Sequence, residues 1–156
     1  MSDTTSPITS SNFRLMTYDD LPRVMEIENV AHYSPWTSGT FKDCLRVGYL
    51  CRVLEVGNIM YGYTVISFGA GEAHVLTIAV DPKRQRQGYG RLLMGQLLED
   101  VGKLDVDTLL LEVRASNLSA IALYDSFGFN EIAVRKKYYP AKNGREDALM
   151  FARVML

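Results

Sequence analysis

The pattern of apolar and polar positions along the chain predicts seven β-strands and four helices. Segments in which apolar residues alternate with polar ones, or follow each other without a break, are typical of strands. Such segments cover residues 13–16, 49–56, 59–68, 74–80, 108–113, 129–138 and 148–154. Apolar residues three or four positions apart predict helices, at about 20–28, 40–47, 88–103 and 117–126. The order βααβββαβαββ predicts a single α/β domain with one mixed central sheet of about seven strands, flanked by about four helices.

Turn and capping residues agree with these limits. Asp19 or Asp20 can cap the first helix, because an acidic side chain accepts hydrogen bonds from free backbone N–H groups. Gly57-Asn58 fits a hairpin turn, although Asn-Gly would be the stronger signal. Gly128 can end the fourth helix in a left-handed conformation. Residues 140–147 are predicted to be a turn-rich connection between the last two strands.

Length and composition predict one soluble globular domain. The chain has 156 residues, of which 47% are hydrophobic and 22% charged. Residues 1–12 are rich in serine and threonine and are expected to form a mobile tail, with residues 13–156 as the domain. The tail lacks the apolar run of a signal peptide, and no run elsewhere approaches membrane-spanning length. We therefore expect a cytoplasmic protein with no membrane partner.

The charge balance argues against a nucleic-acid partner. The formal net charge is -1, so the chain lacks the overall positive charge that nucleic-acid-binding proteins usually carry. Positive charge is concentrated at 83–91 and 135–137 instead, which favours a small anionic ligand. Cys44 and Cys51 have no metal-site spacing, and two thiols in such a chain suggest a reducing compartment and packing in the core. No metal site is predicted.

A glycine-bearing basic turn follows the strand that ends at Val80. Gly88 and Gly90 lack Cβ atoms, so the backbone there can approach a ligand closely. The N–H groups of such a turn, next to a helix N-terminus, form a concavity suited to an anion. Arg86 and Arg91 add guanidinium groups, which match phosphate geometry well. The turn is therefore predicted to hold a pyrophosphate.

The spacing of this turn excludes two common phosphate loops. The Gly-x-x-x-x-Gly-Lys-Ser/Thr pattern is missing, and Gly95 comes two positions too late for the dinucleotide pattern Gly-x-Gly-x-x-Gly. A plain strand-to-helix turn with solvated arginines remains the alternative when the turn is considered alone.

Glu112 is the ionisable residue that stands out. It lies in an apolar strand, where alternation places Leu110, Glu112 and Arg114 on one face. A carboxylate within such a strand is costly unless it is paired or near solvent, and a partly desolvated one suits a general base. The alternative is an ion pair with Arg114 or with a helix residue on that face.

Two further polar residues follow in the fourth helix. Tyr124 can face the sheet, where the plainer interpretation is core packing with a satisfied hydroxyl group. Asn117 stands where it can simply cap the helix. His32 and His74 have no partner pattern, and neither a Ser/His/Asp nor a Cys/His arrangement is evident.

Together these motifs resemble the GCN5-related N-acetyltransferase superfamily. Residues 85–90, Gln-Arg-Gln-Gly-Tyr-Gly, match its Gln/Arg-x-x-Gly-x-Gly/Ala signature, between a strand and a helix as in that family. Residues 111–129, 135–140 and 144–148, with Ala-His-Tyr-Ser-Pro-Trp at 31–36, are similar to the bacterial ribosomal-protein-alanine N-acetyltransferases. The resemblance extends from about Phe13 to Val154.

The resemblance implies a role for each matching residue. Acetyl-CoA would be bound by its pantetheine arm along Ile78, Ala79 and Val80, and by its pyrophosphate at the turn residues Arg86, Gln87, Gly88, Tyr89, Gly90 and Arg91. Asn117 would contact the cofactor near the thioester. Glu112 would be the base that takes a proton from the acceptor amine, and Tyr124 the acid that protonates the departing thiolate.

The resemblance also implies that the acceptor is the N-terminal α-amine of a protein. A small-subunit ribosomal protein that starts with alanine is the favoured acceptor. Tyr33, Trp36, Tyr138 and Tyr139 are candidates for a groove that holds the extended peptide, although each can equally be ordinary packing. Two alternatives stay open: the same chemistry on another amine (other protein N-termini, lysine or a small molecule), or a non-catalytic module that binds acetyl-CoA.

Overall fold

The computed structural model describes residues 10–155 and contains the elements in the predicted order. The strands are β1 (Ser11–Leu15), β2 (Leu50–Val56), β3 (Ile59–Gly69), β4 (Glu72–Val80), β5 (Thr108–Arg114), β6 (Asn130–Ala141) and β7 (Gly144–Val154). The α-helices are α1 (Leu21–Ala31), α2 (Ser38–Val47), α3 (Tyr89–Gly102) and α4 (Leu118–Ser126). Short 3-10 turns lie at Tyr18–Asp20 and Pro82–Arg84.

The strands form one mixed sheet in the order β1-β2-β3-β4-β5-β7-β6. β4 and β5 pair in parallel, whereas β1 with β2, β2 with β3, β5 with β7 and β6 with β7 are antiparallel. The predicted fold class, a single α/β domain with seven strands and four helices, is confirmed. None of the described helices is long and apolar enough to cross a membrane.

Contacts within the chain divide into two compact units. The first unit comprises the described residues up to Ile66 together with Thr77–Leu97, and the second comprises Ser67–Leu76 and the described residues from Leu98 onward. The predicted tail lies largely outside the described residues, but Ser11 and Asn12 belong to β1 and pair with Val56 and Glu55 of β2.

In the first unit, the start of α1 differs in detail from the prediction. Asp20 precedes α1, but its carboxylate accepts a hydrogen bond from the N–H of Thr17 at 2.7 Å and therefore caps the preceding 3-10 turn. Arg14 also donates two hydrogen bonds to this carboxylate, at 2.7 and 2.8 Å, and these lower the pKa of Asp20 below its usual range. Pro22 lies in the first turn of α1 as expected, where its missing N–H costs nothing.

In the second unit, the predicted connection at 140–147 is wrong. β6 and β7 continue to a two-residue turn at 142–143, with Tyr139 opposite Glu146 and Pro140 opposite Arg145. Pro140 is tolerated because β6 is the last strand of the sheet, where no further strand needs its missing N–H. Arg145 donates hydrogen bonds to the carbonyl groups of Lys137 at 2.8 Å and Tyr138 at 2.7 Å, which ties the two strands together.

Candidate active site

The predicted pyrophosphate turn lies in the first unit, between β4 and α3. Arg86 and Gly88 both adopt left-handed backbone conformations, with φ of 63° and 90°. Such residues turn successive N–H groups toward one side, which is the geometry of an anion-binding concavity. Arg86, Gln87, Gly88 and Arg91 are exposed. The turn thus combines left-handed backbone positions with exposed basic side chains.

Asp81 stabilises the start of this turn. This role was not predicted from the sequence. Its carboxylate accepts hydrogen bonds from the N–H of Lys83 at 3.0 Å and from Arg23 at 2.7 Å. Arg23 also donates to the carbonyl of Met60 at 2.9 Å. Burial acts to raise the pKa of Asp81, but these hydrogen bonds outweigh it and the pKa lies below the usual range. Asp81 therefore remains ionised and holds the turn to α1 and β3.

Gly62 allows β3 to approach the strand segment that was predicted to bind pantetheine. A Cβ atom at this position would lie 2.5 Å from the carbonyl oxygen of Ala79 and 2.9 Å from a methyl group of Leu93. Real Cβ atoms do not approach so closely, so the position requires glycine. Ile78, Ala79 and Val80 are thereby held against a tightly packed neighbour.

Tyr89 differs from the other predicted turn residues because its side chain is buried. Its ring packs edge-on against Tyr61, with centroids 5.0 Å apart, in a cluster with Leu54 and Leu93. Burial raises the pKa of Tyr89, and its hydroxyl group has no hydrogen-bond partner within the described part of the chain. The side chain therefore packs in the core of the first unit.

Glu112 lies in the second unit, and its β5 neighbours alternate in burial as predicted. Its side chain is 28% exposed, and Oε2 lies 3.2 Å from Nε of Arg135 in β6. The pair lacks the alignment of a hydrogen bond, and Oε2 is buried without a hydrogen-bond partner among residues 10–155. Arg114 donates instead to Glu146 at 3.0 Å and to the carbonyl of Pro140 at 2.6 Å. Glu112 is therefore paired with Arg135 through charge, without a hydrogen bond at Oε2.

Tyr139 interacts electrostatically with Glu112 and with Tyr124. The pKa of Tyr124 is raised to about 12, mainly by burial and to a smaller extent by the electrostatic effect of Tyr139. Burial, followed by the negative charge of Glu112, raises the pKa of Tyr139, while Arg114 and Arg135 act against this. Tyr124 is 6% exposed and packs near Phe129. Tyr139 thus interacts with both predicted catalytic residues.

A cluster of aromatic and basic side chains surrounds Tyr139. The Arg114 guanidinium lies 4.6 Å above its ring, and Tyr138 packs against it edge-on at 5.0 Å. Arg135 lies 5.1 Å from the ring centre of Tyr138. Both tyrosines belong to β6. Tyr138 is part of an irregular segment in which Lys136, Lys137 and Tyr138 lie opposite Asp147 alone, and Tyr139 directly follows it. Bulges of this kind often redirect side chains next to active sites.

Asn117 caps α4, as its plainer interpretation predicts. Its side-chain oxygen accepts hydrogen bonds from the N–H of Ala120 at 3.2 Å and from the hydroxyl of Ser119 at 3.3 Å. The residue is exposed, and its predicted contact with the cofactor stays a prediction.

The two aromatic residues predicted for the acceptor loop have different environments in the first unit. Tyr33 is 61% exposed. Trp36 is half-buried, and its indole ring packs against Phe41 with centroids 5.1 Å apart. Trp36 is thus largely a packing residue, while Tyr33 is presented at the surface.

Among residues 10–155, no group of three His, Cys, Asp or Glu side chains has metal-binding geometry. Cys44 and Cys51 are buried free thiols, and burial raises both pKa values, that of Cys51 to about 12. Neither thiol is a thiolate near neutral pH, so both fit the predicted packing role.

Comparisons with known proteins agree with this arrangement. The model of the acetyltransferase (GNAT) family matches residues 18–129. A ribosomal protein bS18-alanine N-acetyltransferase from Escherichia coli strain K12 is 46% identical over 133 residues, which cover 85% of this chain and 90% of that protein. The crystal structure of the ribosomal-protein-S18-alanine N-acetyltransferase from E. coli has a TM-score of 0.88 at 42% identity, covering 93% of this chain and 94% of that one.

A more distant structure shares the fold alone. It is that of yncA, a putative acetyltransferase from Salmonella typhimurium with its cofactor acetyl-CoA. Its TM-score is 0.79 at 18% identity, covering 94% of this chain and 95% of that one.

Proposed function

Since this chain belongs to the acetyltransferase (GNAT) family and is an N-acetyltransferase, we propose that it moves the acetyl group of acetyl-CoA to a protein N-terminal α-amine. The acceptor is an alanine-starting small-subunit ribosomal protein. The names of the E. coli relatives support this acceptor, and identity over most of both chains makes it the best assignment for this one.

One observation carries the catalytic part of the proposal: the Glu112 carboxylate is 28% exposed and pairs with Arg135 at 3.2 Å without a hydrogen bond. A partly exposed carboxylate of this kind can accept a hydrogen bond, and then a proton, from an amine or a water molecule. An α-amine has a pKa of about 8, so much of it is ammonium at neutral pH and cannot attack until a proton is removed. Glu112 takes that proton, directly or through a water molecule.

Tyr124 acts on the leaving group. After the amine attacks the thioester carbonyl, the tetrahedral intermediate collapses, the C–S bond breaks and CoA leaves as a thiolate. With a pKa of about 12 the phenol keeps its proton at neutral pH and can donate it to the sulfur in a hydrogen bond. Because a thiol has a pKa of about 8.5, this bond stabilises the thiolate without a complete proton transfer. The ammonium nitrogen loses two protons, one before the attack and one as the amide forms, and the CoA thiolate takes one of them up. The net products are the acetylated amine, CoA as the free thiol, and one proton.

Acetyl-CoA is the cofactor, held by residues of the first unit. The exposed basic turn at Arg86–Arg91 suits its pyrophosphate, since guanidinium groups and turn N–H groups both bind phosphate oxygens. The backbone of Ile78, Ala79 and Val80 suits the amide-bearing pantetheine arm, and Asn117 of the second unit suits the region of the thioester. The distant relative with bound acetyl-CoA supports the cofactor, although it shares only the fold.

The acceptor is tested by measuring thiol release from acetyl-CoA with three substrates. These are a peptide that starts with free alanine, the same peptide with a blocked N-terminus and an internal lysine, and a polyamine. We expect release with the first alone and, by mass spectrometry, one acetyl group on the α-amine. Release with the lysine peptide or polyamine would overturn the acceptor but keep the chemistry. Tight binding of acetyl-CoA with no release from any substrate would indicate a binding module.

A further inference from the structure

A buried carboxylate, Glu28, lies beneath the segment that carries Tyr33 and Trp36. Glu28 belongs to the last turns of α1 and is 1% exposed. Its Oε2 accepts a hydrogen bond from the backbone N–H of Trp36 at 3.0 Å. Its Oε1 accepts a short hydrogen bond from the hydroxyl of Tyr63 in β3. The mechanism above does not use this group.

These contacts form a closed ring of four residues in the first unit, namely Glu28, Trp36, Phe41 and Tyr63. The indole of Trp36 packs on Phe41 at 5.1 Å, and Phe41 packs edge-on against Tyr63 at 5.7 Å. Tyr63 and the backbone of Trp36 both return to Glu28 through hydrogen bonds. Both ends of the 32–36 segment are therefore held by α1, because His32 also donates its backbone N–H to the carbonyl of Glu28 at 3.2 Å.

The same cluster reaches the beginning of the predicted pantetheine segment. Nε2 of His32 lies 3.6 Å from Oε1 of Glu28 and 3.4 Å from the hydroxyl oxygen of Thr77. Thr77 directly precedes Ile78 in β4. The 32–36 segment is thus in contact with β4 through one side chain as well as with α1.

We infer that Glu28 is a positioning residue for the acceptor. This inference rests on the proposed function. Its carboxylate fixes the 32–36 segment before the acceptor arrives, so that Tyr33 is presented at the surface in one conformation. A loop that is already ordered does not lose conformational entropy on binding, which improves affinity without a new contact. The acceptor affinity is therefore controlled by a residue that does not touch the acceptor.

The test compares substitutions that remove different parts of the cluster. Glu28→Leu removes both acceptor atoms and leaves the N–H of Trp36 unpaired. Glu28→Gln retains one oxygen for that N–H, because the hydroxyl of Tyr63 can accept from the new amide. Tyr63→Phe removes only the other hydrogen bond and keeps the ring against Phe41. Glu26→Leu, at an exposed position of the same helix, is the matched control.

We expect Glu28→Leu to raise KM for the alanine peptide on the order of tenfold, the size expected for an unpaired buried donor. KM for acetyl-CoA should change less than about twofold, and the Gln, Phe and Glu26 variants should keep peptide KM within about threefold of the original. A parallel rise in both KM values, or an unchanged peptide KM, would overturn the inference. Should the leucine variant not fold, Glu28→Asp, whose carboxylate is withdrawn by one methylene, makes the same test with the same expected rise.

Trp36 gives a readout that needs no acceptor, because it is the only tryptophan in the chain. In Glu28→Leu its fluorescence should shift to longer wavelength and become more accessible to acrylamide, whereas Tyr63→Phe should leave it unchanged. An unchanged spectrum in Glu28→Leu would contradict the anchoring of the segment. If the original enzyme ignores the peptide but the fluorescence responds as expected, the proposed acceptor fails while the anchoring stands.

Discussion

Asp147 of β7 accepts a hydrogen bond from the backbone N–H of Lys137 at 3.0 Å, across the irregular segment of β6. Lys137 has a left-handed backbone with φ of 50°, which a lysine adopts only at a cost. The Lys136 side chain adds an ion pair to the same carboxylate at 3.5 Å. The hydrogen bond from Lys137 lowers the pKa of Asp147, so the group is ionised at neutral pH. Asp147 therefore stabilises the bulge that includes Tyr138 and directly precedes Tyr139.

Removing this support should impair the site without preventing folding. We expect Asp147→Ala to lower kcat/KM for the acceptor peptide on the order of tenfold, because a displaced bulge moves Tyr139 away from Glu112. Asp147→Asn should retain most of the activity, since its amide oxygen can still accept from Lys137. Steady-state kinetics with the exposed Asp105→Ala as control checks this, and equal losses in the Ala and Asn variants would argue against it.

Gly62 offers a test of the close packing behind the cofactor segment. Gly62→Ala should lower the free energy of unfolding by about 1–3 kcal/mol, because the new methyl group would overlap the carbonyl of Ala79. Urea unfolding measures the change, and acetyl-CoA binding should weaken in parallel since Ala79 must move. Gly69→Ala is the control: it lies at the end of the same strand, and a Cβ there has no neighbour within 4 Å. Equal effects at both positions would contradict the role of the close approach.

The basic turn should be specific for the cofactor. We expect Arg86→Ala combined with Arg91→Ala to weaken acetyl-CoA binding on the order of tenfold or more, since two charge-assisted contacts to phosphate are lost. Peptide binding should change little, and the salt dependence of acetyl-CoA binding should decrease because fewer charges are involved. Isothermal titration provides both affinities, with the exposed Arg46→Ala as control. A larger loss for the peptide would refute the pyrophosphate assignment.

Tyr124→Phe should lower kcat by roughly 10²-fold with little change in acetyl-CoA affinity, because the hydroxyl acts only on the departing thiolate. Its raised pKa has a further consequence at high pH. An unfolded phenol ionises near pH 10, whereas folded Tyr124 does so only near 12. Folding stability therefore declines as pH rises from about 10 to about 12, and the phenylalanine variant should decline less steeply.

Chemical denaturation at several pH values measures this difference, with Tyr18→Phe, at an exposed position, as the control. Identical slopes in Tyr124→Phe and the original chain would show that the phenol is not desolvated as described.

The elements and their order were predictable from the sequence because strands such as β4 and β5 bury every second residue, and alternating burial leaves a clear pattern. Glu112 and its neighbours in β5 are the best example, where every second residue is buried as predicted. The end of β6 was not predictable in the same way. β6 is exposed over most of its length, so its apolar pattern carries no information about pairing, and Pro140 and Gly144 suggest a loop.

The supporting residues of the site were also beyond the reach of sequence patterns. Glu28, Asp81 and Asp147 each have a partner at least ten residues away, and a single carboxylate gives no sign of which donor it will meet. These partners are Tyr63, Arg23 and Lys137. Gly62 lies in an apolar strand without a turn signal, and only the position of Ala79 explains it. The turn at Arg86–Arg91, by contrast, is local, so its position between a strand and a helix could be predicted from nearby residues alone.

The most direct test of the account is the activity of Glu112→Gln beside its affinity for acetyl-CoA. The glutamine has nearly the same size and cannot take a proton from the amine, so kcat for the alanine peptide should fall by about 10²–10⁴-fold. The affinity of this variant for acetyl-CoA, measured by titration, should stay within about twofold of the original. The control is Glu131→Gln, at an exposed glutamate of β6, in which both kcat and acetyl-CoA affinity should stay within about twofold. Unchanged turnover in Glu112→Gln would show that Glu112 is not the base and would contradict the account.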